Sequence, residues 1–387
     1  MKDFSDNRKY ILQILLGAPR VYSGLNHLMV ETTRLATKQG YTSICVYTDT
    51  MQYLPQLQKD IEDKGGIVEL VRSTNLLRDI WNLYCKYQPV IVDTHFINKV
   101  KLWTCIFSLL FGAKHYTHIH SQIGPEVHEY VKKKGVLKRI LLGIYYLMLG
   151  IASKKILCVS ELNRVQYTEW SYGAKNKAIT LYMGTQIHEP SYSKLEARSI
   201  LQIPQSEYVI TNVSAIEAIK GIDLIIKAVS LLKQKGLNVL FAHLGGLRGN
   251  TDEQQQYADS LKQLVMELDV EDNIIWLGRR NDISDILSFA DCYVHPSWTE
   301  GLPSALMEAA MAGLPLIATR AGGMPEIVKD QYSGRLIDSG DYEQLANTIE
   351  QVLASKNNYG SNAREMVYNT FNQEKQARKM LQLYDLE

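Results

Sequence analysis

DCYVHPS (residues 291–297) leads into TEGLPSALMEAAMAGLPLIATRAGGMPEIV (residues 299–328), and this passage decides the fold class. CYVH reads as a short apolar strand, EGLP as a loop, SALMEAAMAG as a helix and LPLIAT as a second apolar strand. Strand, helix and strand in close succession make a βαβ unit with buried parallel strands. Pro303 falls at the first turn of the helix, where its missing N–H costs nothing. That helix start offers free backbone N–H groups and a partial positive charge, which favour a phosphate. Glu300 lies in the loop before the helix and Glu308 inside it. Their spacing alone is that of ordinary surface charges around a helix start. Beside an anion site, however, two acceptors suit a phosphorylated polyol such as a nucleotide sugar.

The same rhythm extends in both directions. Upstream, ILQILLG, TSICVYT, GIVELV, PVIVDTH, KHYTHIH, KILCVS and AITLYM read as strands. Helix-like segments such as HLMVETTRLATKQG and LLRDIWNLYCKY separate them. The rhythm breaks at HEPSYSKLEARSILQIPQS, residues 188–206, read as a linker with a short helix. A second alternation follows in YVITNVS, LNVLFAHLG, NIIWLG, CYVHPS, LPLIAT and SGRLID. The expected class is α/β, with two tandem Rossmann-like domains facing a central cleft, because open α/β sheets bind ligands at their carboxyl edges. The expected boundaries are 1–188 for the first domain, 189–205 for the linker, 206–362 for the second domain and 363–387 for a terminal helix.

Composition agrees. A chain of 387 residues, 46% of them hydrophobic, is natural for two cores. A net charge of +1 gives no electrostatic case for nucleic acid. The five cysteines are scattered without a CxxC or a Cys/His cluster, as expected of reduced thiols in a cytoplasmic protein. YILQILLGA, residues 10–18, is preceded by Asp3, Asp6 and Arg8 and interrupted by Gln13, so it reads as the first buried strand and not as a signal peptide. No apolar run approaches the ~20 residues needed to span a bilayer.

The 299–328 passage resembles the donor-site signature of retaining glycosyltransferases of family 4, the glycosyl transferases group 1 type, whose two-domain fold is called GT-B. The resemblance covers nearly the whole chain and is most specific in the second half. NVSAIEAIKGIDLIIKAV, residues 212–229, resembles the family's strand–loop–helix with Lys-Gly at the helix start. It implies that Lys220 is a diphosphate ligand, a role that suits an ammonium beside a helix N-terminus. Members often carry an arginine five residues earlier, where this chain has Ala215. Arg20, Arg279 and Arg280 are the candidates to compensate. HLGG, residues 243–246, resembles the family's glycine-rich strand end, with Gly245 close to the nucleotide; a bare Gly-Gly is equally an ordinary turn. WLGRRNDISDILSFADCYVHPS, residues 276–297, places Arg279 where the family contacts the base. Ser23-Gly24 matches the loop after strand one that approaches the donor phosphates, although a glycine needed only for the turn fits as well.

His120, ending KHYTHIH, best matches the histidine that the family sets against the donor sugar, ahead of His95 and His118. No Asp-x-Asp occurs, so no metal site is expected, and Lys220 and helix dipoles would neutralise the diphosphate. The resemblance thus implies a catalytic set of Glu300, His120 and Lys220. Donor binding falls to Gly24, Lys220, Gly245, Arg279, Glu300, Gly301, Leu302, Ser304 and Glu308. Glu300 would hold sugar hydroxyls and Glu308 ribose hydroxyls, with a front-face route aided by a donor phosphate oxygen. The donor would be a UDP-sugar or GDP-mannose with no cofactor, and the acceptor a glycan or lipid-linked glycan of bacterial surface polysaccharide synthesis. Two other classes stay open: a sugar-nucleotide epimerase of similar fold and a non-catalytic nucleotide-sugar-binding relative.

VKKKGVLKRILLGIYYLMLGIASKK, residues 131–155, holds seven basic residues and no acidic one. It reads either as an interfacial helix drawn to an anionic membrane surface or as a buried crossover helix with solvated lysines. The first reading makes the protein cytoplasmic and peripheral on the inner face of the plasma membrane.

Overall fold

The computed structural model describes residues 8–16, 24–49, 55–95, 98–120, 136–171, 174–247, 249, 251–355 and 358–387. The chain forms two compact units, one of Met1–Thr185 with Gln373–Glu387 and the other of Gln186–Asn372.

The first unit holds strands β1 (Lys9–Ile14), β2 (Tyr41–Thr48), β3 (Ile67–Val71), β4 (Ile91–Thr94), β5 (Lys114–Ile119), β6 (Lys155–Cys158) and β7 (Ala178–Thr180). All pair in parallel in the order β3-β2-β1-β4-β5-β6-β7. β1 and β4 are buried over Ile11–Ile14 and Ile91–Thr94, as strands covered by helices on both faces must be. Every strand-like run of the first half contains one of these strands.

The second unit holds β8 (Tyr208–Val213), β9 (Val239–Leu244), β10 (Ile274–Gly278), β11 (Cys292–His295), β12 (Leu316–Thr319) and β13 (Gly334–Ile337). The order is β10-β9-β8-β11-β12-β13, again all parallel. Its core packs Ile210, Phe241 and Val294 of the sheet against Ile222, Ile225 and Val229 of the helix Ile222–Gln234. The βαβ reading of 291–319 is realised as β11, the helix Ser304–Met311 and β12.

Two boundaries differ from the sequence reading. Residues 189–205 are not free linker. The helix Lys194–Ile200 opens with a capping box between Ser193 and Glu196, and its Arg198 is buried. The Arg198 guanidinium donates to the Phe289 carbonyl at 2.8 Å and to Asp291 Oδ2 at 2.8 Å, which ties the segment into the second unit. Residues 363–387 are not one helix either. The helix Tyr359–Thr370 stays with the second unit, and only Gln373–Leu383 joins the first. There Ala377, Met380, Leu381 and Tyr384 enter the core formed by Leu28 and Met29 of the helix Gly24–Lys38. Tyr116 Oη donates to the Leu383 carbonyl at 2.7 Å, and Asp385 pairs with Lys114 and Lys154.

Candidate functional site

In the second unit, the residues expected at the donor site lie in the loops that follow the carboxyl ends of β8, β9, β10 and β11, the edge where open α/β sheets bind ligands. Lys220 closes a short 3-10 turn after β8, and Gly221, at φ +66°, passes the chain into the helix Ile222–Gln234. Gly245 follows β9 at φ +148°, where a Cβ would come within 1.8 Å of the Ser214 carbonyl oxygen. Only glycine fits there, so geometry alone accounts for Gly245. Arg279, just beyond β10, is exposed and donates to the Leu247 carbonyl.

Glu300 is the centre of the cluster. Its Oε1 accepts from Lys220 Nζ at 2.6 Å, from His295 Nε2 at 3.0 Å and from Ser297 Oγ at 3.1 Å. The Glu300 and Lys220 side chains are each 14% exposed, so the pair is screened by little water. Burial opposes the Glu300 charge, but the His295 hydrogen bond and the Lys220 ammonium outweigh it and hold the carboxyl down at about 2. The sequence reading gave Lys220 to a diphosphate and Glu300 to a sugar. The structure instead brings the two together as an ion pair.

Glu308 behaves in the opposite way. It is half-buried on the helix Ser304–Met311, and its carboxylate has no hydrogen-bond or ion-pair partner among the described residues. Withdrawal from water pushes it up to about 6. Pro303 is the N-cap of this helix and has no side chain able to cap it, and among the described residues no side chain bonds the first amides from Ser304 onward. Gly301 and buried Leu302 complete the turn from Glu300 into the helix.

Sequence reasoning missed His295, Ser297 and Tyr293. Tyr293 Oη lies 3.3 Å from His295 Nδ1 and 3.3 Å from the Val213 carbonyl, which ties the imidazole to the neighbouring strand β8. A histidine ending the strand five residues before Glu300 was the available signal.

Of the compensators proposed for the arginine missing at Ala215, Arg20 lies outside the described residues. Arg280 is held by Asp282 through two hydrogen bonds of 2.8 and 2.7 Å. Among the described residues Arg279 has no carboxylate partner, and its guanidinium donates to the Leu247 carbonyl.

In the first unit, Gly24 opens the helix Gly24–Lys38, and the rest of its loop lies outside the described residues. His120 directly follows β5 and belongs to a histidine group. His95 Nδ1 and His120 Nε2 are 2.8 Å apart, and the rings of His95 and His118 stack at 4.0 Å. Asp93 Oδ2 lies 3.0 Å from His118 Nε2 and 3.6 Å from His95 Nε2, and it accepts from Tyr384 Oη. Burial and the neighbouring imidazoles push His120 well below the ordinary histidine value and His95 to about 4. Among the described residues, His95, His118 and His120 are the group whose geometry can hold a metal ion.

The family model of the glycosyl transferases group 1 matches residues 193–372. N-acetyl-alpha-D-glucosaminyl L-malate synthase of Bacillus anthracis is 34% identical over 119 residues, 30% of this chain and 31% of that protein. UDP-Gal:alpha-D-GlcNAc-diphosphoundecaprenol alpha-1,3-galactosyltransferase of Escherichia coli is 35% identical over 120 residues, 30% of this chain and 31% of that protein. The chain thus spans about a third of the length of the curated relatives it matches. Among solved structures, Anabaena Alr3699/HepE in complex with UDP superposes with a TM-score of 0.80 at 18% identity, over 97% of this chain and 99% of that one. At that identity the likeness speaks for the fold. With two parallel α/β units and the matching domain at 193–372, residues 193–372 form a glycosyl transferases group 1 domain and the chain has the GT-B fold.

Proposed function

We propose that the protein transfers a sugar, with retention of anomeric configuration, from a nucleotide diphosphate sugar to a lipid-linked glycan. One observation carries this reading: Glu300, in the turn before a helix whose first amides no side chain caps among the described residues, is bonded to the Lys220 ammonium that ends the turn after β8. A diphosphate arriving there gives Lys220 a second anion and frees the Glu300 carboxylate to accept from sugar hydroxyls. As the bond to the leaving diphosphate breaks, negative charge grows beside Lys220 and the amides of Ser304 and Ala305. Such preorganised donors stabilise the transition state more than the ground state. Glu308 accepts from the ribose hydroxyls, and His120 orients the sugar. No metal is needed for these roles.

The relatives support a choice of donor. The Escherichia coli protein is named for a UDP-sugar donor and a diphosphoundecaprenol acceptor, and the Anabaena structure holds UDP. A UDP-sugar is therefore the first donor to test. A lipid-linked acceptor also fits the first unit. Its helices Asn98–Phe111 and Val136–Ala152 pack together and contain no Asp or Glu. They leave Trp103, Leu109, Leu110, Leu141, Ile144 and Ile151 between 45% and 68% exposed. Apolar side chains on helices without acidic residues suit the interfacial layer of an anionic membrane. No helix among the described residues is long and apolar enough to cross a bilayer. Of the basic run that precedes the second helix, Lys132, Lys133 and Lys134 lie outside the described residues.

A nucleotide-sugar panel read by thermal shift, followed by acceptor-dependent release of nucleoside diphosphate, tests the reaction. Release without acceptor, with an isomerised sugar seen by NMR, would instead make the protein an epimerase. Sedimentation with anionic liposomes, reversed by high salt, tests the membrane face, since surface attraction is screened within about 8 Å at physiological ionic strength. Sedimentation that survives neutralising Lys132, Lys133, Lys134, Lys138 and Arg139 together would count against it.

A further inference from the structure

The transfer reaction uses only His120 of the three clustered histidines. We propose that His95, His118 and His120 form a binding site for an imidazole-seeking transition-metal ion of the Zn2+ or Co2+ type, and that its occupation blocks sugar transfer. The blocking half rests on the reading of His120 as the residue that meets the donor sugar; the binding half does not.

The backbone assembles the three residues before any ligand arrives. His118 and His120 are two apart on one extended chain, so their side chains fall on the same side. The parallel register pairs Thr94 with Thr117, and one step further it sets His95 level with His118. The result is three imidazoles whose ligating nitrogens all lie within 4.8 Å of one another. A tetrahedral ion with bonds of about 2.0–2.1 Å separates its nitrogens by about 3.4 Å, so modest ring rotation closes the site.

Asp93 orients two of the rings. Its Oδ2 accepts from His118 Nε2 at 3.0 Å and attracts His95 Nε2 at 3.6 Å. Each ring then keeps its proton on Nε2 and turns Nδ1 out as the basic nitrogen. A carboxylate behind a ligating histidine is the outer-layer contact that fixes the tautomer and raises ligand basicity. Tyr384 Oη, donating to the same Asp93 oxygen, secures the carboxylate in turn. His120 supplies the third nitrogen. With its Nε2 proton directed at His95 Nδ1, it need only move that proton to its own Nδ1 to free Nε2. No net proton is gained or lost. The metal then takes both nitrogens of that hydrogen bond and the lone pair of a ring otherwise available to the sugar. Lys101, which donates to the His118 carbonyl, places positive charge nearby and weakens the site without removing any ligand.

Chelator-treated full-length protein titrated with Zn2+ in a calorimeter, and with Co2+ by its visible absorption, decides the question. One equivalent is expected in each case, with donor-dependent transfer falling as the site fills. His118→Gln keeps a donor toward Asp93 but loses the ligating nitrogen. It should weaken Zn2+ binding at least tenfold while metal-free transfer persists. If His118→Gln does not fold, X-ray absorption of the Zn2+-loaded wild-type protein gives the second measure, and imidazole scattering from three ligands is expected. Failure to bind one equivalent, binding untouched by His118→Gln, or absence of histidine scattering would overturn the site. Full binding with undiminished transfer would overturn the blocking role and the sugar assignment of His120, while the metal site would stand.

Discussion

The two units place a buried polar cluster at the same position, beyond the carboxyl ends of a parallel sheet, and handle its charge in opposite ways. In the second unit Glu300 meets His295 and Lys220, and these partners hold its carboxyl ionised against its burial. In the first unit one carboxylate, Asp93, faces the imidazoles of His118 and His95 and accepts from the Tyr384 hydroxyl. Two protonated imidazoles side by side would repel, so burial and their neighbours drive His95 and His120 toward the neutral form. A buried charge survives where a direct partner outweighs lost hydration, and otherwise the proton is lost. The Glu300–Lys220 cluster is suited to following charge that changes during a reaction. The histidine cluster is suited to offering lone pairs.

The sharpest way to break this contrast is Glu300→Gln. Removing one positioned polar group from an electrostatic site costs on the order of 3 kcal/mol, or about a hundredfold in turnover, with the fold intact. A purified variant turning over at the wild-type rate would end the assignment. Asp93→Asn should act on stability instead. Losing the charged acceptor shared by His118, His95 and Tyr384 should lower unfolding free energy by about 1.5–3 kcal/mol in urea titrations, while UDP affinity stays within a factor of two. An unchanged urea midpoint would mean that the histidine cluster does not depend on that carboxylate.

Lys220→Ala should weaken UDP binding about tenfold in calorimetry and uridine binding little, because in the proposed complex only the diphosphate meets the ammonium. Equal losses for both ligands would remove the phosphate role. The smallest effect expected is one of pH, and its two parts have opposite sign. Glu300 is held below the ordinary glutamate value of 4.5, so its stabilisation is complete above that value and is lost as pH falls toward about 2. Glu308 is raised to about 6, so the native state takes up its proton first, and its contribution to stability improves as pH falls from about 6 to 4.5. Substituting each in turn with Gln should flatten the matching limb of a urea-midpoint profile. If Glu308 accepts from ribose as proposed, UDP affinity should also weaken below about pH 6, and Glu308→Gln should remove that dependence.

Much of the fold was legible because its signal is local. Every strand-like run from ILQILLG to SGRLID contains a strand, and central strands such as β1 and β9, buried over most of their length, give the strongest apolar signal. The turn from Glu300 through Pro303 was legible for the same reason, because proline chemistry acts on its own neighbours. The ends of the units were less legible. Whether Lys194–Ile200 is linker or domain depends on Arg198 reaching Phe289 and Asp291, more than ninety residues away, and no local pattern records that.

The sequence by itself determined the alternation that builds two parallel sheets, the family of residues 193–372 and the loops that carry Lys220, Gly245, Arg279 and Glu300. Only the tertiary structure decided what those side chains meet. Lys220 and Glu300 are eighty residues apart, and so are Tyr293 and Val213; Tyr384 reaches Asp93 across 291 residues. Periodicity and propensity report the chain's contact with water and with its nearest neighbours. The charge state of a carboxylate depends on partners brought in from other strands, and that is settled only once the sheet has closed around it.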